Sequence, residues 1–372
     1  MYYKQYGNTD MMVSAIGLGT MRYNNEDIKA GRLMKCAEIP LYALEKGINY
    51  WDTAPFYCDD KSEIVTGIAL SQVKRSDVYV TSKVNFNTLG TTTPTRDDFR
   101  RRLETSLERL QTDYIDFYLL HAVNNDSWDN KVVKFNVLPK IEKLIAEGKI
   151  RHFGFSFHDD LDVFKKVIDA YDGFEFCQIQ FNYIDTDYQA GIEGLEYAAS
   201  KGLGVIVMEP LLGGKLAAPH EKITSVLGNS RTPVEWALDF VWNRPEVGML
   251  LSGMGTEKMV TENIGYADKS APDMLTAEEL DILRKAKSAF DELTAVNCTG
   301  CEYCMPCPFG VEIPKVFAAY NNITTGGRRL VKEIMPDIEY VAGRCEKCGA
   351  CVKACPQHIN IPETLRKVVN QF

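Results

Sequence analysis

Residues 96–121 read RDDFRRRLETSLERLQTDYIDFYLLH, and two hydrophobic periods stand side by side in them. In Arg96–Leu110 the apolar residues Phe99, Leu103, Leu107 and Leu110 recur at helical spacing, with Arg100, Arg101, Glu104 and Glu108 elsewhere. That pattern predicts an amphipathic helix. Ile115–His121 follows as a short apolar and aromatic run ending on a polar residue, the signature of a buried strand. The unit recurs along the chain. Candidate strands are Ala15–Gly19, Asn49–Thr53, Val78–Lys83, Ile115–His121, Arg151–Ser156, Phe176–Phe181, Gly204–Glu209 and Met249–Gly253. Helix-period segments lie between them: Ile39–Lys46, Val137–Glu147, Leu161–Ala170, Gly191–Lys201, Pro233–Asn243 and Lys258–Ala267. Lys46-Gly47, Glu147-Gly148 and Lys201-Gly202 put glycine where a helix would stop.

Eight strand–helix units over the first 290 residues predict an α/β chain closed into a (β/α)8 TIM barrel. The rival is an open doubly wound sheet. Its glycine fingerprint is incomplete here, because Gly17-Leu18-Gly19-Thr20-Met21-Arg22 lacks the third glycine.

The chain has 372 residues, 45% hydrophobic and 25% charged, enough for a barrel and an appendage. Its formal net charge of −9 would repel a polyanion, so nucleic acid is not an expected partner. No apolar run has membrane-spanning length, since Val205–Gly214 is broken by Glu209 and Pro210. The N-terminus lacks an apolar leader, and the expected location is cytoplasmic.

Barrel chemistry sits where strands end. Those ends carry Asp52, Lys83 and His121, with Tyr57 five residues past Asp52. A phenol is a weak acid near pH 7, but a neighbouring ammonium stabilises its phenolate and a carboxylate can hold that ammonium. His121 could orient a carbonyl oxygen. Such a group of residues suits hydride transfer to a carbonyl, where charge develops on oxygen.

In Val13–Met21, Asn49–Tyr57, Thr81-Ser82-Lys83 and Leu119-Leu120-His121 the chain resembles the aldo/keto reductase superfamily, over residues 1 to about 270. The resemblance implies Asp52, Tyr57, Lys83 and His121 as a catalytic tetrad, with Tyr57 as general acid or base. It implies a nicotinamide cofactor, NAD(P)(H), lying extended across the barrel mouth, with Gly19, Thr20, Met21, Ser156, Gln178, Met208, Glu262 and Asn263 at cofactor-binding positions. The substrate would be a small carbonyl or alcohol. Met21, Phe56, Phe86 and Trp128 are expected to line the mouth. Some cofactor positions depart from the family pattern. Phe157 replaces the Asn that usually follows Ser156. Gly253, Met254 and Met259 occupy the positions that grip the 2′-phosphate of NADP. These side chains offer a phosphate no cation, so no strong NADP preference is expected, although Lys258 is adjacent.

Eight of the eleven cysteines lie in the last 75 residues. They form Cys298-x2-Cys301-x2-Cys304-x2-Cys307-Pro308 and Cys345-x2-Cys348-x2-Cys351-x3-Cys355-Pro356. The second is the bacterial ferredoxin run, whose fourth cysteine ligates the other cluster. On that rule Cys298, Cys301, Cys304 and Cys355 hold one 4Fe-4S cluster, and Cys345, Cys348, Cys351 and Cys307 a second. The first run is one residue short before its last cysteine, which leaves the exchange open. Zinc is the alternative, since four thiolates suit it too. The segment between the runs contains helix-like Ile313–Tyr320 and Arg328–Ile334. Residues 291–372 therefore read as a small, mainly helical iron-sulfur domain of ferredoxin type, and residues 1–290 as the barrel.

The two halves differ in electron stoichiometry. A hydride carries two electrons, whereas a cluster passes one. A flavin is a candidate intermediary, although no motif for one is visible. Three functions remain. The first is a carbonyl–alcohol oxidoreductase coupled through its clusters to a ferredoxin or another redox protein. The second is an NAD(P)H-dependent carbonyl reductase with structural or oxygen-sensing clusters. The third is a non-catalytic electron-transfer subunit.

Overall fold

A computed structural model describes residues 1–9, 11–85 and 96–372. Strands β1 (Tyr3–Gln5) and β2 (Met12–Ser14) form an antiparallel hairpin, with Tyr3 opposite Ser14. Eight parallel strands follow: β3 (Ile16–Gly19), β4 (Tyr50–Asp52), β5 (Tyr79–Asn85), β6 (Ile115–Val123), β7 (Ile150–Phe157), β8 (Phe176–Gln180), β9 (Gly204–Met208) and β10 (Val247–Ser252). They close in the order β10-β3-β4-β5-β6-β7-β8-β9, with β10 pairing both β3 and β9. The predicted barrel is present, and each of its strands overlaps a predicted one.

The hairpin was not predicted, and it plugs the barrel. Tyr6 and Met11 from its turn, with Val13 from β2, pack among Tyr50, Phe117, Phe176, Ile206 and Met249 from the strands. The Tyr6 ring meets Phe117 edge-on at 5.0 Å. A Cβ on Gly204 would come within 2.9 Å of that ring, so only glycine gives Tyr6 room there.

The helix Arg96–Leu110 has the predicted limits. The helix Ser62–Leu70, which sequence periodicity missed, packs beside it. A Cβ on Gly67 would lie 2.1 Å from the carbonyl oxygen of Arg109, so glycine sets how closely the two helices approach.

The chain divides into two compact units, Met1–Pro210 with Ala237–Leu275, and Leu211–Trp236 with Thr276–Phe372. The first holds the barrel. The second contains the helices Ala277–Leu293, Ile313–Tyr320, Ile323–Ile334, Ile338–Gly343, Ala350–Ala354 and Ile361–Gln371. Its core gathers Val311, Val316, Phe317, Ile338, Leu365 and Val368, with six of the tail thiols packed partly buried against it. Gly213, at φ 66°, admits the Thr299 carbonyl, which a Cβ would meet at 2.3 Å. Segment 211–236 therefore packs with the cysteine-bearing unit. Among the described residues no helix is long and apolar enough to cross a membrane.

Candidate functional site

β4 ends on Asp52, and its neighbour β5 carries Lys83. The Lys83 Nζ donates to Asp52 Oδ1 at 2.6 Å and to the Thr53 carbonyl at 2.8 Å. Both side chains are buried, and Asp52 Oδ2 has no hydrogen-bond partner among the described residues. Burial pushes the Lys83 ammonium below its ordinary value, while the Asp52 carboxylate works against that shift.

Tyr57 stands over this pair, with Lys83 Nζ 5.0 Å from its ring centroid. The Tyr57 ring meets His121 edge-on at 5.9 Å, and Phe56 stacks on His121 at 4.9 Å with 17° between the planes. The geometry thus brings together the four side chains expected from strand ends. His121 arrives by a distortion. The register of β6 against β7 shifts between Leu120 and Val123, and Ala122 takes φ 53°. A left-handed non-glycine residue costs about 1–2 kcal/mol. The Ala122 N–H is held by Ser156 Oγ at 2.8 Å. Burial, with Lys83 and His158 nearby, holds the His121 pKa well below its ordinary value, which keeps the imidazole neutral.

The loop carrying Tyr57 is fastened from below. Three successive residues, Cys58, Asp59 and Asp60, have φ of 54°, 53° and 63°. Ser62 Oγ meets Thr20 Oγ1 at 2.6 Å and Thr53 Oγ1 at 2.7 Å, and Thr20 Oγ1 donates to the Asp52 carbonyl at 2.7 Å. Glu63 is fully buried. It accepts from Ser82 Oγ at 2.7 Å and from Arg109 at 3.3 Å, and the same Arg109 nitrogen reaches the Pro55 carbonyl at 3.2 Å. A buried carboxylate and an arginine thus tie the Pro55–Tyr57 turn to the strand that holds Lys83. Sequence reasoning missed both residues, which lie 46 positions apart with no motif joining them.

The expected cofactor positions are partly assembled. Ser156 and Gln178 are register partners on β7 and β8. The buried Gln178 Oε1 has no partner among the described residues, so it can accept from an amide N–H such as a nicotinamide carboxamide. Met208 ends β9, and Gly19 ends β3 with Met21 just beyond it. Asn263 is buried and donates to Ser252 Oγ at 3.0 Å, whereas Glu262 is exposed and lies 3.7 Å from Lys258. The stem of Arg22 runs beside Gly253, where a Cβ would meet it at 3.4 Å. The Arg22 stem therefore lies beside one of the positions expected to face a 2′-phosphate, a feature the linear pattern had hidden. Trp128 is buried and packs toward Phe174 at 6.4 Å, while Phe86 lies outside the described residues.

In the second unit the thiols ring two cavities. One, of about 220 Å³, is lined by Cys304, Cys307, Cys345, Cys348 and Cys351. A smaller one, about 20 Å³, is lined by Cys298, Cys301, Cys304 and Cys355. Burial pushes the Cys304 thiol up to about 12, reinforced by Cys301, Cys298 and Cys355. Cys351 is raised by burial with Cys345, Cys348 and Cys307 around it. Among the described residues no group of three or more His, Cys, Asp or Glu converges as ligands of one metal ion would. The thiols around the larger cavity suit the wider iron-sulfur cubane.

An eight-stranded parallel barrel with ionisable side chains at its strand ends, joined to a helical thiol-rich unit, defines a barrel oxidoreductase with an iron-sulfur domain. Comparison with known families agrees. Residues 15–286 match the aldo/keto reductase family and residues 297–360 a 4Fe-4S dicluster domain, and the chain belongs to the aldo/keto reductase family. It is 29% identical to the L-galactose dehydrogenase of Arabidopsis thaliana, over 69% of this chain and 85% of that one. It is also 29% identical to the NADH-specific methylglyoxal reductase of Escherichia coli, over 62% and 73% of the two chains. An aldo-keto reductase from Klebsiella pneumoniae, solved in complex with NADPH, superposes with a TM-score of 0.62 at 27% identity, over 77% of this chain and 95% of that one.

Proposed function

We propose that the barrel interconverts a carbonyl and an alcohol with Tyr57 as general acid or base. In this reading Cys298, Cys301, Cys304 and Cys355 hold one 4Fe-4S cluster, and Cys345, Cys348, Cys351 and Cys307 a second. The pair links the enzyme to a ferredoxin or similar redox protein in the cytoplasm. The observation that carries the catalytic part is the convergence of Tyr57, Lys83 and His121.

When bound, a nicotinamide supplies or accepts hydride, and the clusters pass single electrons. The chain's own residues do the rest. In the reducing direction Tyr57 gives its phenolic proton to the carbonyl oxygen. Lys83, anchored by Asp52, stabilises the phenolate left behind. His121, neutral, donates an N–H to the same oxygen and orients it. Phe56, stacked on His121, covers one side of the imidazole and limits water there. Gln178 Oε1 and Ser156 receive the nicotinamide carboxamide. Gly253, Met254 and Met259 provide no charge for a 2′-phosphate, so NADPH holds no large advantage over NADH, and any preference depends on Arg22. Competitive binding with NADP(H) a hundredfold tighter contradicts that point.

The catalytic test is Tyr57→Phe. General acid catalysis is worth about 10²–10⁴ in rate, so carbonyl turnover should fall by that order while iron content and cluster absorbance stay unchanged. Retained turnover overturns the assignment. The second reading, a carbonyl reductase with structural or oxygen-sensing clusters, is favoured by the NADH-specific and NADPH-bound relatives of the barrel.

A further inference from the structure

We propose that the exposed basic rim around Cys348 is the docking surface for an acidic one-electron carrier protein, and that electrons pass through the set Cys307, Cys345, Cys348 and Cys351. The proposal rests on the reading that these thiols hold a cluster, and it names the partner and the port.

Exposure distinguishes the two sets. Of the eight tail cysteines Cys348 is exposed, and the other seven are partly covered. Electron tunnelling weakens steeply with distance, so a carrier reaches a cluster best through a ligand at the surface.

Charge points to the same place. Between residues 344 and 367 the chain carries Arg344, Lys347, Lys353, Arg366 and Lys367 against Glu346 and Glu363, and all five cations are exposed. The chain as a whole is at −9. An acidic protein is therefore repelled by most of this surface, while here five cations against two carboxylates outweigh the charge of about −2 that an oxidised cluster with four thiolates brings. The run Cys298–Cys304, which gives three of the other set's four thiols, contains no Lys or Arg and carries Glu302.

The cations gather in space as well as in sequence. Lys347 lines the cavity that holds Cys348 beside Glu346, and so do Pro362 and Leu365 of the helix bearing Arg366 and Lys367. Arg366 pairs with Glu363 at 2.6 Å, and Lys367 and Lys347 also help to hold that carboxyl below its ordinary value, so the three cations lie near one carboxylate. Arg344 lies over the Tyr340 ring at 4.8 Å and donates to the Gly310 carbonyl at 3.3 Å, which fixes its guanidinium. Lys347 sits at φ 54°, in the left-handed region of the backbone.

Phe309, 41% exposed, lines the cavity, and Val352 is exposed beside Cys351. An apolar centre within a charged rim is the anatomy of a protein interface. On encounter one electron leaves the carrier, which is oxidised by one unit, and the cluster is reduced by one unit. No bond forms or breaks and no proton moves.

The test uses the full cluster-loaded chain and an acidic bacterial ferredoxin as probe. Binding of oxidised ferredoxin and the rate of anaerobic cluster bleaching by reduced ferredoxin are measured in the wild type, in Lys347→Glu/Lys353→Glu, and in the barrel-unit control Lys143→Glu. At low ionic strength the double variant should lose about tenfold or more in affinity and in second-order rate, and the control should lose nothing. Wild-type affinity should fall as salt rises, and the final extent of bleaching by excess small chemical reductant should be equal in all three, which shows that each still carries its clusters. Unchanged ferredoxin affinity in the double variant, or affinity indifferent to salt, overturns the docking surface and leaves the cluster reading intact. Absence of iron and labile sulfide from anaerobically purified protein overturns both.

Discussion

Lys83 Nζ lies 2.6 Å from Asp52 Oδ1, and neither side chain is more than 4% exposed. Desolvation disfavours both charges, so the pair persists because each ion is the other's main compensation. Lys83→Met should cost about 3–5 kcal/mol by leaving Asp52 buried and unpaired, and Asp52→Leu a similar amount. The double variant should cost clearly less than the two singles added. Urea unfolding of the four proteins checks the non-additivity, and strict additivity would show that the two groups act separately.

Arg109 should prove to be a positioning residue. Arg109→Met releases the Pro55 carbonyl and leaves Glu63 unpaired, so stability should drop by about 1–3 kcal/mol and kcat should fall more than KM rises. Adding Glu63→Gln should recover stability, because a neutral amide tolerates burial without the cation, yet leave kcat low. Stability and kcat recovering together would assign Arg109 a purely structural role.

The Glu63–Arg109 tie marks where sequence legibility stops. The eight barrel strands could be read because parallel strands are covered on both faces and appear as continuous apolar runs. That Asp52, Lys83, His121 and Tyr57 lie together could be anticipated because a barrel brings its strand ends to one face. The helix Ser62–Leu70 escaped because it buries Ser62, Glu63 and Thr66 along with its apolar residues, which erases the amphipathic period. The hairpin β1–β2 escaped because three-residue strands carry almost no pattern. The last helix was legible and overlooked: Asn360 caps it, Pro362 stands in its first turn, and Leu365 and Val368 share its buried face.

His121 should remain neutral across the working range. With its folded pKa depressed, the unfolded chain binds more protons below about pH 6.5, so His121 contributes stability that is fully present above that value and is lost progressively as pH falls from there towards the depressed folded pKa. Carbon-13 NMR of labelled imidazoles should show the His121 signal unmoved from pH 8 to pH 5.5. A titration midpoint near 6.5 would contradict its desolvation.

Cysteine replacements should pair across the two runs. Cys355→Ser should lose the same cluster as Cys301→Ser, about four irons per chain in either case, and the double variant no more. Cys355→Ser with Cys348→Ser should lose about eight. Iron and labile-sulfide assays on anaerobic protein decide this. A Cys355→Ser protein that adds its loss to that of Cys301→Ser would mean that each run serves its own cluster.

The most direct test of the coupling between barrel and clusters is anaerobic absorbance spectroscopy. Clusters are first reduced with a reduced ferredoxin, and a trace of NAD+ with a panel of small carbonyls is then added, so that two cluster electrons and a proton form the hydride. The account predicts that a carbonyl restores the cluster band and is recovered as its alcohol in the wild type, with little alcohol formed and no restoration beyond the trace of NAD+ in Tyr57→Phe. Clusters that stay reduced against every carbonyl that NADPH or NADH turns over would contradict it, and would leave a carbonyl reductase whose clusters serve another purpose.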